Sequence, residues 1–193
     1  MSCAMPLDAA ILADYWLGSL SLTEEESLEE HLFGCDECGA RLQEVIALAE
    51  GVRDVASAGS LMMVVSDSFL DRAKANGARV SEYAPPAGGS VQCTVTAEDD
   101  LLVGRLKADL SHAKRIDLSL CDPAGTEQIR LPDIPFAPET GGVVWQQSIT
   151  FAKAAPTSSM VARLLAIDEE GSESLIGEYT FHHTRTLPGP GAW

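Results

Sequence analysis

Positive charge is what this 193-residue sequence has least of: 13 Lys and Arg stand against 29 Asp and Glu, a formal net charge of −16. A nucleic-acid binder neutralises phosphates with Lys and Arg, so the balance argues against that class. Docking on an anionic membrane surface fails on the same ground. Long apolar runs are missing too. A stretch such as Leu61 to Val65 falls far short of the roughly 18 residues that span a bilayer. The start, Met1 to Pro6, lacks the positive and apolar regions of a secretory signal, so a cytoplasmic protein is expected. Cysteine is sparse and odd in number: Cys3, Cys35, Cys38, Cys93 and Cys121. That count excludes a complete disulfide framework and points to metal ligation or buried thiols. No Gly-x-Ser-x-Gly, phosphate-binding loop or His-Glu-x-x-His is present, and no enzymatic activity is expected.

What is there begins with acidity concentrated at one end. Residues 1–54 hold twelve Asp and Glu against only Arg41 and Arg53. Such a surface suits a basic protein partner, metal cations or simple solubility. Apolar residues make up 46%, enough for a core of ordinary size.

The same end reads as helical. Ile11, Leu12, Tyr15 and Trp16 recur at helical spacing over about 7–17, and Gly18 ends the segment. Thr23 and Glu26 form a capping-box pattern for a second helix over about 24–33, with Leu28, His31 and Leu32 inward. A third runs from about 37 to 56 with a broad apolar face of Leu42, Val45, Ile46, Leu48, Val52 and Val55. A short fourth helix, 69–75, has Ser66 or Ser68 as cap and Gly77 as stop. Residues 83–90, Tyr-Ala-Pro-Pro-Ala-Gly-Gly-Ser, read as a linker.

Past the linker the period changes to two. Val91, Cys93 and Val95 share a face, as do Ile116, Leu118 and Leu120, and Val143, Trp145, Gln147, Ile149 and Phe151. With further strands at 159–167 and 173–182 and turn signals between, an antiparallel β-sandwich is expected. The chain is thus α+β with two domains. Residues 1–76 form a helical bundle of three helices plus a separate fourth, 77–90 a linker, 91–184 the sandwich and 185–193 a disordered tail. His182 and His183 are strand neighbours that point to opposite faces, so they make a poor metal pair. Cys93 and Cys121 are expected to be buried thiols.

The informative constellation is His31-Leu-Phe-Gly-Cys35-Asp-Glu-Cys38. Three soft or borderline ligands between two helices suit tetrahedral Zn²⁺. A fourth ligand closes the site. Cys3 is the best placed, because helix one folding back beside helix two brings the N-terminus to the turn; Asp8, Asp36 or water remain alternatives.

These residues resemble the zinc-binding anti-sigma factors of bacteria. Leu12-Ala-Asp-Tyr15-Trp-Leu-Gly18 leads into Leu28-Glu-Glu-His31-Leu32-x-x-Cys35-x-x-Cys38, with Leu42 four residues on. The resemblance covers about residues 1–76. It implies a zinc-stapled domain that wraps an extracytoplasmic-function-type sigma factor, blocks its contacts with RNA polymerase and releases it on a signal. An upstream Cys or His is the fourth ligand in many members, and Cys3 fits that place. A separated fourth helix, here 66–76, would grip the partner, and the sandwich would be a sensor. Apolar anchors expected to touch a sigma factor are Tyr15, Trp16, Leu20 and Phe33 on the bundle and Met62, Met63, Phe69 and Leu70 on the fourth segment. The alternative is a zinc-stabilised adaptor or ligand-binding protein that binds no sigma factor.

Overall fold

The Asp8 side chain accepts a hydrogen bond from the Ala10 N–H at 2.8 Å and opens the first helix, α1, Ala9–Leu17. Gly18 closes it at φ +69°, a left-handed conformation in which a side chain is strained, with its N–H returned to Asp14 and Tyr15. In the computed structural model, which describes residues 3–185, the second helix is α2, Leu22–Gly34, and starts earlier than the Thr23–Glu26 pattern suggests. The Glu24 carboxylate accepts from the Ser21 N–H at 3.0 Å and the Ser21 hydroxyl at 2.6 Å. The box therefore belongs to Ser21 and Glu24, because Ser21 has the extended backbone a cap requires. The third helix, α3, Asp36–Ser57, follows after the single residue Cys35.

The chain divides into two compact units, one ending at Val55 and the other starting at Ala56. Within residues 3–55 only Leu12, Leu28 and Cys38 are buried. Ile11, Leu32, Leu42 and Ile46 are half-buried around them. The Tyr15 hydroxyl ties α1 to α2 by donating to Glu29 at 3.0 Å. The lower half of the expected apolar face of α3 is open: Leu48, Val52 and Val55 are exposed. A domain of this size with so small a core needs another staple to be stable.

The second unit is built of two sheets. Its strands are β1 (Met63–Val64), β2 (Val80–Tyr83), β3 (Ser90–Val95), β4 (Leu101–Lys107), β5 (Arg115–Cys121), β6 (Glu127–Leu131), β7 (Gly142–Gln147), β8 (Ser158–Ile167) and β9 (Glu173–Arg185). One sheet has the order β1-β7-β4-β2 and the other β3-β9-β8-β5-β6. Leu106, Val143 and Trp145 of the first share a buried core with Ile116, Leu118, Leu164, Tyr179 and Phe181 of the second. The sheets are mixed where full antiparallel pairing is expected: β2 pairs parallel with β4, and β3 parallel with β9. The reason lies in the connections. The chain leaves the first sheet after β2, enters the other at β3 and returns at β4, so no hairpin joins these neighbours. The Tyr83 hydroxyl bonds both the N–H (2.9 Å) and the carbonyl (2.6 Å) of Thr94, linking the edge strands β2 and β3.

Three boundaries differ from those expected. The 77–90 linker contains strand β2, leaving 84–89 as the connection. The fourth helix, α4, Asp67–Ala75, belongs to the sheet unit. Ser66 caps it, and Leu70, with no exposed surface, packs with Val65, Leu101 and Val103. Arg105 of β4 holds Asp67 at 2.7 Å and Glu82 at 2.6 Å. Ile149 and Phe151 do not continue β7. Ser148 accepts from the Phe151 N–H at 3.2 Å and starts a short helix, α5, Ile149–Ala154. Side-chain capping here overrides the period-two pattern. The expected tail lies, beyond Arg185, outside the described residues.

Candidate metal centre

The ending of α2 and the start of α3 set the centre. His31 stands in the last turn of α2, Cys35 is its C-cap residue in extended conformation, and Cys38 lies in the first turn of α3. Cys3 comes from the segment ahead of α1. Its N–H donates to the Glu37 carboxylate at 2.7 Å, which folds that segment back onto α3. The Leu7 N–H points at Cys38 Sγ, 3.4 Å away. Cys38 is fully buried and the other three are half-buried.

The four donor atoms lie within 4.8 Å of one another. Cys3 and Cys38 Sγ are 3.8 Å apart, and His31 Nε2 is 3.5 Å from the first and 3.3 Å from the second. A tetrahedral zinc with bonds of about 2.3 Å to sulfur and about 2.0 Å to nitrogen requires separations near 3.8 and about 3.5 Å. The donor set and its spacing thus fit one structural zinc. One feature favours thiolate at this place: the Cys35 thiol is pulled down to about 7, first by the backbone N–H of Cys38. Cys3 is pushed up, first by desolvation, and metal binding has to displace its proton.

All four residues proposed as ligands from the sequence meet here. Glu37 was not singled out: its only signal was a place between two cysteines, and its role follows from a contact 34 positions apart. The residues expected to touch a partner are dispersed. Phe33 is 92% exposed, and Tyr15, Trp16 and Leu20 are half-buried. The Arg53 guanidinium lies over the Trp16 ring, 5.0 Å from its centroid. The structure places Met62, Met63, Phe69 and Leu70 in the sheet unit, the first packed against its main core and the others in the cluster under α4. The short segment lacks a core of its own and borrows that of the sheets. In this structure Leu70 offers no surface to a partner. His182 and His183 part ways: His182 Nδ1 pairs with the Ser159 hydroxyl at 2.8 Å, and His183 lines a cavity between the sheets.

Residues 10–39 match a family model described as "Putative zinc-finger". That segment holds three of the four candidate ligands, with Cys3 just outside. No curated protein matches the chain. Among solved structures, the chain is similar to the crystal structure of CopC from Methylosinus trichosporium OB3b at 12% identity, covering 66% of this chain and 98% of that one. The TM-score is 0.27. Among the described residues no helix is long and apolar enough to cross a membrane.

Proposed function

We propose that the helical unit sequesters a sigma factor of the extracytoplasmic-function type and so represses transcription initiation until a signal releases it. The observation that carries this is a surface of paired character on a zinc-stapled domain. Twelve acids cover residues 1–54, and among them stand exposed apolar side chains: Leu17, Phe33, and Leu48, Val52 and Val55 at i, i+4 and i+7 on α3. Apolar anchors supply affinity and an acidic field speeds docking to a basic DNA-binding protein. The four protein donors leave zinc no open coordination position, which supports a structural ion and a binding rather than catalytic role. Such a protein works in the cytoplasm, where sigma factors act.

A second reading has one observation in its favour. The helix that the family resemblance assigns to gripping the sigma factor is docked on the sheets through Leu70. A zinc-stabilised adaptor that binds no sigma factor has no need to free it. Co-expression with each such sigma factor of the host, then pull-down and zinc analysis, separates the two. A stable complex is expected, weakened at least tenfold by Phe33→Asp, with one zinc per chain retained. Failure with every sigma factor leaves the adaptor.

A further inference from the structure

Helix α3 carries an apolar seam that nothing covers. Val45, Leu48, Val52 and Val55 follow one another at spacings of three, four and three residues. These are the a and d positions of a heptad, with Val45 and Val52 at a and Leu48 and Val55 at d. Such positions line up along a helix, here over roughly 15 Å. Leu48 is 70% exposed, Val52 50% and Val55 43%. The face of α3 turned into its own unit is the adjacent one, where Cys38 is buried and Leu42 and Ile46 are half-buried.

The upper end of the seam opens into a groove of about 620 Å³ between α3 and the segment ahead of α1. Leu7, Val45 and Leu48 line it, with Asp8, Arg41 and Glu44 beside them. The wall that carries Leu7 is set by the metal centre: the Cys3 N–H donates to Glu37 at 2.7 Å and the Leu7 N–H points at Cys38 Sγ. Both bases of residues 1–54 are engaged, Arg41 with Glu37 at 3.2 Å and Arg53 over the Trp16 ring. Neither Asp8 nor Glu44 has an ion-pair partner among the described residues. The groove is thus an apolar slot with two unbalanced acids at its rim.

We propose that the slot and the seam below it receive one basic amphipathic helix of a partner protein, about three turns long, packed knobs-into-holes along α3. Its apolar side chains meet Val45, Leu48, Val52 and Val55, the first of them filling the space beside Leu7. Lys or Arg on its flanks reach Asp8 and Glu44. A β-branched residue at a with Leu at d suits two-stranded packing, so a single helix completes the seam. A second copy of this chain offers the same apolar row but the wrong charge, since residues 1–54 carry 2 − 12 = −10 and two such units repel. Because the metal centre already fixes the Leu7 wall, binding has little left to order there. The proposal rests on the sigma-factor reading only in taking the partner to be basic; it adds which segment is bound and where.

Zinc-loaded full-length protein is titrated with a fluorescent synthetic peptide of about three heptads, Leu at a and d and Lys at e and g, which keeps it from pairing with itself. Saturable one-to-one binding is expected by anisotropy, with a peptide carrying Glu in place of each Lys at least tenfold weaker. Leu48→Asp, at an exposed helix position, should weaken the Lys peptide at least tenfold. The sign is diagnostic: the substitution adds an acid, so adhesion by charge alone would grow stronger. Val52→Asp replaces it if Leu48→Asp loses helical circular dichroism. Glu44→Lys should weaken the peptide at least threefold more than Glu50→Lys, the same charge change on the far side of α3. No saturable binding, or binding indifferent to Leu48→Asp, overturns the proposal. So does a dimer in sedimentation that Leu48→Asp turns into a monomer, which would give the seam to a second copy. A sigma-factor complex untouched by Leu48→Asp, with no peptide bound, would sink the seam and leave the sigma-factor reading standing. Peptide binding lost in Leu48→Asp, with no sigma factor captured, would do the reverse.

Discussion

At the scale of single residues the metal centre depends on groups that are not ligands. Cys3 lies 28 positions from His31, the nearest of the other ligands in sequence, and the loop it closes has an entropic cost. The Glu37 carboxylate offsets part of that cost by receiving the Cys3 N–H at 2.7 Å. It also holds Arg41 one turn along α3 at 3.2 Å, a half-exposed pair of small worth. Groups in this outer position change metal affinity by about 10- to 100-fold. Glu37→Ala should therefore weaken zinc about tenfold in competition with a chromophoric chelator, while saturating zinc still gives one ion per chain. A stoichiometry that falls to zero would make Glu37 a ligand, and an unchanged affinity would remove its role.

At the scale of elements, what the sequence revealed depended on the range of the interaction. His31, Cys35 and Cys38 were legible because eight consecutive positions, on a helix end and a helix start, carry the geometry. The first three helices were legible for the same reason, and so was the alternation of Ile116, Leu118 and Leu120, all now buried in the shared core. The surroundings of α4 were not. Its helical pattern and its Ser66 cap are local, but what its apolar side packs against is settled by Leu101 and Val103, about thirty residues on. The parallel pairs β2–β4 and β3–β9 are equally non-local; β3 and β9 are joined by no turn whose residues could announce them. A testable consequence sits at Leu70. It is fully buried, so Leu70→Ala should cost the sheet unit about 2–5 kcal/mol, read as a lower urea midpoint of Trp fluorescence. Zinc content should stay at one per chain. A loss below about 1 kcal/mol would mean that α4 is only loosely held.

At the scale of the molecule, the two units are stabilised by different chemistry. The sheet unit has a continuous apolar core from Cys93 to Phe181, with Tyr179 fully buried and its hydroxyl donated to the Lys107 carbonyl. Residues 3–55 have three buried side chains, one of them the ligand Cys38. Acids crowd the same helices, so their mutual repulsion works against compaction there. Burial of Leu12 and Leu28, at roughly 1.5–3 kcal/mol each, is small beside an ordering entropy of about 1–2 kcal/mol per residue. Zinc bonds are the term that separates a folded unit from an unfolded one, as in other small metal-stapled domains. Removing zinc with a strong chelator under reducing conditions should erase most of the helical circular dichroism. The near-ultraviolet signal of the packed Trp145–Phe181 pair should persist, and so should the melting temperature of the sheet unit. Returning zinc should restore the helices, with an apparent affinity that falls as pH drops and the three thiolates take up protons. Helical signal that survives chelation would mean that the bundle stands without its ion, and that the acids and three buried side chains are balanced by contacts other than the metal's.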